Sequence, residues 1–440
     1  MVDIGIEPYR EITFDADGDA DPAERAALTS LDVTDLVMFS HGWNNTPSVA
    51  TALYAHFFQP FPGLLAASGA SAAQVRLGYA GIVWPSIRFT DEQIPNFPHA
   101  VAADPGQGPS LDPATVQALK RTFPGHDESV DQLAALLAQQ PDSEDALRHF
   151  GELTRELVAH GDGSASFAAD TLDDGPDGAA ALLTQDTLGL YREFTLALSD
   201  TGMAVEPGPA GPSFSIGDSL KHLWDGAKEV LRQTTYYEMK RRSGKVGQLG
   251  LGPLLGELAR TRPSMRIHLV GHSQGGRLVA FALKGLPDGA RNVKSVTLLE
   301  GAFSHYAFAE QLPDGLGGAG ALAALQRRVD GPVVSCYSRF DTALGVLYPL
   351  ASKLACDYQG LLELDRRWWA IGHDGIQSVS PCAELTLAEV LRDGIPDSGC
   401  VSVNAEAVVR AGGPPSGAHS DICHPELARV ILAAGHIGCV

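Results

Sequence analysis

Residues 265–276 constrain the fold more than any other part of the sequence. An apolar run that ends at Val270 is typical of a buried parallel strand. Residues 271–275 then fit the G-x-S-x-G pattern of a nucleophile elbow, which lifts a serine hydroxyl above a sheet. The two glycines let strand and helix pass without a Cβ clash, and apolar residues at helical spacing follow in 277–284. The sequence therefore predicts a strand, a strained turn at Ser273 and a helix.

An elbow serine is followed along the chain by an acid and then by a histidine. Residues 331–341 indicate a second apolar strand that ends in Asp341, so this carboxylate would lie in the loop beyond the strand. Asp341 could instead be the N-cap of the helix-like run that begins at Thr342. Glu300, which ends the strand predicted at 296–300, is the alternative acid.

The predicted base is His419, which lies in a late loop between a glycine- and proline-rich stretch, 411–417, and a predicted helix. A flexible loop above the sheet can bring an imidazole to the elbow. His424 directly precedes Pro425 and is therefore interpreted as a helix-entry residue. His373 is a third candidate. Two further histidines are expected to be structural: His268 and His272.

A candidate oxyanion hole lies earlier in the chain, where an apolar strand at 35–40 runs into a His-Gly turn. Backbone N–H groups on such a turn can stabilise a developing negative charge, together with the N–H that follows the nucleophile. Here these groups belong to Trp43 and Gln274. The alternative is an ordinary strand-to-helix turn capped by Asn45 or Thr46.

These motifs resemble those of the α/β-hydrolase superfamily, and most of all its lipase- and esterase-type bacterial members. The resemblance covers residues 30–84 and 245–440. It is carried by short segments at 41–43, 84–86, 271–275, 338–341 and 419–422. The resemblance implies Ser273 as nucleophile, Asp341 as orienting acid and His419 as base.

The resemblance also implies hydrolysis of a carboxylic ester through an acyl-enzyme, with a small-molecule or lipid-like acyl substrate and no cofactor. A thioesterase, a peptidase or an acyltransferase could use the same three residues. A non-catalytic binding protein on the same fold is the alternative from another class, because a fold alone does not fix function. No short motif in the sequence selects the substrate.

The predicted organisation is a doubly wound, mainly parallel α/β sheet with a large helical insertion. The predicted strands are 9–15, 34–40, 76–84, 265–270, 293–299, 332–338 and 400–404. Residues 1–85 and 246–440 would form the core, and 86–245 a cap or lid beside the site, the alternative being a remote side domain. The helix-like runs of this insertion are 113–123, 128–139, 143–160, 188–199 and 220–242. Its apolar stripes could pack on each other or line an acyl pocket: Leu133, Leu136, Leu137, Phe150, Leu153 and Leu157.

Composition narrows the possible partners. The 440 residues carry a formal net charge of −21, and the longest basic run is 240–242, so nucleic-acid and anionic-membrane partners are not expected. No run reaches transmembrane length and no export signal is evident at the start, which predicts a cytoplasmic protein. The six cysteines fit no zinc pattern, and no metal is predicted.

Overall fold

A computed structural model describes residues 2–69, 73–89, 109–159, 167–171, 185–202, 220–313, 318–350 and 369–438. Eight strands form one sheet in which every neighbouring pair is parallel. They are β1 Tyr9–Thr13, β2 Asp35–Ser40, β3 Leu77–Val83, β4 Arg266–His272, β5 Val293–Leu299, β6 Pro332–Tyr337, β7 Cys382–Thr386 and β8 Gly399–Asn404. Their order across the sheet is β1-β3-β2-β4-β5-β6-β8-β7. The predicted α/β class and parallel sheet are confirmed.

One strand was not predicted from the sequence. β7 lies at the edge of the sheet and pairs only with β8, and each of its five residues is at least partly exposed. Its sequence, Cys382 to Thr386, therefore carries a glutamate and a threonine in place of an apolar run. The seven strands that were predicted correspond to the other seven of the sheet, within a few residues at their ends.

Helices connect the strands. They are α1 Pro22–Thr29, α2 Pro47–Phe58, α3 Phe61–Ala67, α4 Pro113–Thr122, α5 Asp127–Gln139, α6 Glu144–Ala159, α7 Thr187–Asp200, α8 Leu223–Lys245, α9 Gly252–Thr261, α10 Gln274–Gly285, α11 Ile371–Asp374, α12 Leu387–Asp393 and α13 Pro425–Ala434. Single π-helical turns cover Val246–Leu251 and Ala343–Leu347, and a 3₁₀ turn covers Leu325–Arg328.

The sheet is buried on both faces because side chains alternate along each strand. In β2, Leu36 and Met38 point into one core, which also takes in apolar residues of α8, α9 and α10. Val37 and Phe39 point into a second core, formed with α2, α3 and α13. All six residues of β2 are buried, so the strand that leads to the His-Gly turn lies at the centre of the molecule.

The described part of the predicted insertion, 86–245, contains helices α4 to α8 and no strand. The helices were predicted within a few residues of these bounds. The six apolar residues of the predicted stripes pack into the core shared with α8, five of them buried and Leu136 partly buried. Packing on each other is therefore their role. The division of the chain into a core and a cap stays a prediction.

α8, the π turn and α9 follow one another without a break and form one long rod beside α10. The two backbones touch. A Cβ atom added at Gly247 would lie 2.3 Å from the carbonyl oxygen of Leu278, and one added at Gly285 would lie 1.8 Å from that of Gln248. Only glycine permits this approach, so the rod is held directly against the helix that follows the elbow.

A buried ionic cluster joins the segment 167–171 to the same helices. Asp170 is 1% exposed and lies 2.9 Å from Arg277 Nε and 2.8 Å from Lys240 Nζ. It also accepts hydrogen bonds from the Ser304 N–H and the Tyr348 hydroxyl, at 3.1 and 3.2 Å. Burial alone would raise the pKa of Asp170, but the two cations hold it below its ordinary value. The carboxylate is therefore charged and paired.

Candidate active site

Ser273 occupies a strained turn between β4 and α10, with φ 56° and ψ −124°. Both flanking glycines are required by contact. A Cβ at Gly271 would lie 2.3 Å from the Gly275 carbonyl oxygen, and one at Gly275 would lie 2.2 Å from that of Ser40. The predicted strand, strained turn and helix are confirmed, and the turn places the serine side chain beyond the carboxyl end of β4.

The three predicted side chains of Ser273, His419 and Asp341 lie together in a hydrogen-bonded chain. Nε2 of His419 lies 2.8 Å from Oγ of Ser273, and Nδ1 of His419 lies 2.6 Å from Oδ2 of Asp341. Asp341 is fully buried, and its other carboxylate oxygen accepts the Leu344 N–H at 2.9 Å. One oxygen of Asp341 therefore binds a backbone N–H at the start of the π turn, whose N-cap is Thr342, and the other faces the imidazole. The role of Asp341 as the orienting acid stays a prediction.

The alternative acid, Glu300, has a different environment. It is 1% exposed, and its carboxyl group lies beside the Asp341 carboxyl and the backbone of Ser338. Burial, and secondly the negative charge of Asp341, raise the pKa of Glu300 well above its ordinary value. The raised pKa favours the neutral carboxyl at Glu300, whereas Oδ2 of Asp341 lies 2.6 Å from Nδ1 of His419.

The alternative histidines make other contacts. His424 is the residue before α13, as predicted, and its Nε2 lies 2.9 Å from Asp421 Oδ1. His373 belongs to α11 and packs against the Trp369 ring, with the two ring centres 4.7 Å apart. Of the three candidate bases, His419 is the one whose imidazole lies at hydrogen-bonding distance from Ser273.

Hydrogen bonds on two sides hold the loop that carries His419. Asp421 accepts the N–H groups of Arg410 and Ala411 at 3.0 and 2.7 Å, and His424 pairs with its other oxygen. Although burial opposes it, these partners lower the pKa of Asp421. On the other side, Nε2 of His272 donates to the carbonyl oxygen of His419 at 2.8 Å. His419 is therefore held in place by the residue that precedes Ser273.

His272 and His41 are neutral histidines beside the serine. Burial, and then the neighbouring His419, lower the pKa of His272 to about 3, and burial lowers that of His41 to about 4. His41 closes its own turn, since Nδ1 lies 2.8 Å from the Gly42 carbonyl oxygen and its ring stacks on Trp84. His272 thus contacts the loop that carries His419, and His268 pairs with Asp35 inside the sheet.

The two residues of the predicted oxyanion hole lie on either side of Ser273. Trp43 follows the His-Gly turn at the end of β2, and a Cβ added at Gly42 would lie 2.7 Å from Ser273 Cβ. Gln274 is the first residue of α10, where backbone N–H groups have no partner within the helix. The His-Gly turn therefore lies in direct contact with Ser273. The role of these two N–H groups stays a prediction.

Ser273 and His419 open into a cavity of about 70 Å³. Part of its wall is apolar, and includes Leu344, Leu347 and Ile422. α8 supplies another part through residues spaced i, i+3, i+4 and i+7, which lie on one helix face: Glu229, Arg232, Gln233 and Tyr236. The last helix of the predicted cap thus borders the site.

These four residues were missed by the sequence analysis. Their spacing is visible in the sequence, but polar residues at helical spacing usually mark a solvated face. Here Glu229 is 3% exposed and Arg232 is 7% exposed. The burial of a polar stripe is the signal, and it appears only once the helix is packed.

Among the described residues, no cluster of His, Cys, Asp and Glu side chains could hold a metal ion. None of the described helices is long and apolar enough to cross a lipid bilayer. No protein-family model matches the chain, and no curated protein or solved structure shows a detectable similarity to it. The geometry of the site is therefore what any functional conclusion must be drawn from.

Proposed function

We propose that the protein is a serine hydrolase of the α/β-hydrolase type, which cleaves a carboxylic ester through an acyl-enzyme on Ser273. The observation that carries the proposal is the chain of two short hydrogen bonds from Ser273 through His419 to the buried Asp341. A serine is a weak nucleophile unless an oriented base removes its proton, and this arrangement supplies both base and orienting anion.

In the proposed reaction, Nε2 of His419 takes the proton of Ser273 as its Oγ attacks the ester carbonyl. Asp341 holds Nδ1–H and stabilises the imidazolium that forms. The oxyanion of the tetrahedral intermediate is stabilised by the N–H groups of Trp43 and Gln274. The imidazolium then protonates the departing alcohol, and water, activated by the same histidine, releases the acid and restores the serine.

The topology supports the family proposal. The predicted nucleophile, acid and oxyanion turn follow β4, β6 and β2, so all three are delivered to the carboxyl-terminal edge of one parallel sheet. Ligands of open α/β sheets bind at that edge. Serine, acid and histidine follow one another along the chain in the order that is typical of this superfamily.

The test is covalent labelling with a fluorophosphonate probe. Wild-type protein should be labelled at Ser273, and Ser273→Ala should lose the label. Ser420→Ala is the matched control, because Ser420 also lines the cavity and should not be the labelled residue. Labelling that persists in Ser273→Ala, or that is lost only in Ser420→Ala, would refute the proposal. Hydrolysis of p-nitrophenyl acetate by the same variants checks turnover.

A further inference from the structure

Glu300 lies in a short segment that holds the turn of the nucleophile. The Ser273 N–H donates to the Leu299 carbonyl oxygen at 3.0 Å, and the Ser273 carbonyl oxygen accepts the Ala302 N–H at 3.1 Å. Between these two contacts, Glu300 has φ 45°, a left-handed conformation that residues other than glycine rarely adopt. Strained backbone of this kind persists where the surrounding structure holds it, and it is concentrated at functional sites. The segment that bonds to Ser273 therefore also places the Glu300 side chain.

The same segment is bonded to the loop that carries Asp341. The Gly301 carbonyl oxygen accepts the Gly372 N–H at 3.0 Å, and the Gly372 carbonyl oxygen accepts the Ser338 N–H at 3.2 Å. A Cβ added at Gly372 would lie 2.3 Å from the carbonyl carbon of Glu300, so α11 packs directly on this backbone. Glu300 is thus enclosed between the turn of the nucleophile and the loop of the acid.

The Glu300 carboxyl lies beside the Asp341 carboxyl, close enough for a hydrogen bond between the two side chains. Both residues are buried. Two buried carboxyl groups in contact do not both ionise, because each negative charge opposes the other. Asp341 keeps the charge, since its oxygens bond to the Leu344 N–H and the His419 imidazole. Burial and the charge of Asp341 raise the pKa of Glu300 well above its ordinary value, so Glu300 is the neutral partner.

We propose that Glu300 is a positioning residue, whose neutral carboxyl donates a hydrogen bond to Asp341 and so fixes the anion that orients His419. This inference rests on the proposed hydrolase function, and it adds a residue that contacts the acid and not the substrate. Each carboxylate oxygen of Asp341 can accept two hydrogen bonds, so this donor adds to the contacts with Leu344 and His419. Hydrogen bonds to an ionised group are the strong ones, so the donor restrains the carboxylate in its position.

The charge of Glu300 decides the sign of the pH effects. The rate at which Ser273 reacts rises with pH as His419 loses its proton, which gives the rate profile an acidic limb. A negative charge at Glu300 would stabilise the imidazolium, so a neutral replacement would move that limb to lower pH. A neutral donor instead draws negative charge away from Asp341, so its loss moves the limb to higher pH. The other titratable groups that act on the two carboxyls stay the same in every variant: Cys336, His373, His419 and Asp421.

The test measures the rate of fluorophosphonate labelling at Ser273 across the pH range in which histidine titrates. Glu300→Gln keeps the shape, the neutrality and a hydrogen-bond donor, so the rate and the limb should match those of the wild type. Glu300→Met keeps the length and removes the donor, so the rate should fall by about tenfold and the limb should move to higher pH. Thr297→Val is the matched control, because it removes a polar group from a fully buried residue of β5 and should change neither.

Three results would overturn the inference. One is a limb that moves to lower pH in Glu300→Gln, which would show that Glu300 is charged. The second is a Glu300→Gln variant as impaired as Glu300→Met, and the third is a Glu300→Met variant that behaves like the wild type.

A second measurement needs no apolar variant. If circular dichroism shows that Glu300→Met does not fold, infrared difference spectroscopy compares the wild type with Glu300→Gln at neutral pH. The carbonyl band of a protonated carboxyl should be present in the wild type and absent from the variant. Its absence from both would show that Glu300 is charged, and the inference would fail.

Labelling of the wild type separates the two proposals. A wild type that does not label at Ser273 removes the hydrolase proposal and the positioning role with it. A wild type that labels, combined with any of the contrary results for Glu300, removes the positioning role alone.

Discussion

Replacing Asp170 should destabilise the fold strongly, because its buried carboxylate pairs with two cations. Asp170→Asn keeps the shape of the side chain and removes its charge. Arg277, with a side chain 0% exposed, and Lys240, 11% exposed, would then face no carboxylate at this position. Removing one partner of a buried ion pair costs about 3–5 kcal/mol, because the other charge stays desolvated.

That cost is a large fraction of the stability of a folded protein, which is about 5–15 kcal/mol. The assay is urea unfolding followed by circular dichroism, with the shift in midpoint compared between variants. Asp330→Asn is the control, since Asp330 pairs with Lys294 on the surface and is 52% exposed there, and exposed pairs contribute under about 1 kcal/mol.

A second variant isolates the cause. Asp170→Leu combined with Arg277→Met and Lys240→Met removes all three charges and should recover much of the loss, because apolar replacements of buried ionic groups are often neutral. If Asp170→Asn shifts the midpoint no more than Asp330→Asn does, the cluster is not a desolvated ion network. A triple variant less stable than Asp170→Asn would show that the hydrogen bonds of Arg277 and Asp170 to the backbone outweigh the charge effect.

The other predictions concern the site. His419→Ala should lower kcat by several orders of magnitude, as triad removal does, and Asp341→Asn should lower it far more than Glu300→Gln; steady-state kinetics that give the reverse ranking would reassign the acid. The pKa of His272 is about 3 when folded and 6.5 as the free side chain, so only the unfolded chain takes up its proton between these values. The contribution of His272 to stability should therefore fall as the pH drops below 6.5, by about 2 kcal/mol at pH 5, and His41 adds a loss of the same sign. Urea midpoints at pH 6.5 and 5.0 measure this, and an equal fall in His272→Gln would contradict the assignment.

The sequence predicted the parts of the molecule whose signals are local. A buried strand such as β2 needs an apolar run, and the elbow needs glycines at fixed distances from Ser273. β7 has no such run because it lies half exposed at an edge. The roles of Asp170 and Arg232 depend on partners or surroundings that come from other parts of the chain. No short sequence pattern encodes these contacts between distant parts of the chain, so they could not be predicted.

The contact between the α8–α9 rod and α10 has a practical consequence for protein engineering. Gly247 and Gly285 bring the two backbones together, and side chains cannot be introduced there without pushing them apart. The cavity wall at 229–233 and the serine turn therefore belong to two helical segments whose backbones are in direct contact. A library that varies only Glu229, Arg232 and Gln233, which line the cavity, would leave this backbone contact intact. Libraries that include the glycines would mostly yield unfolded chains.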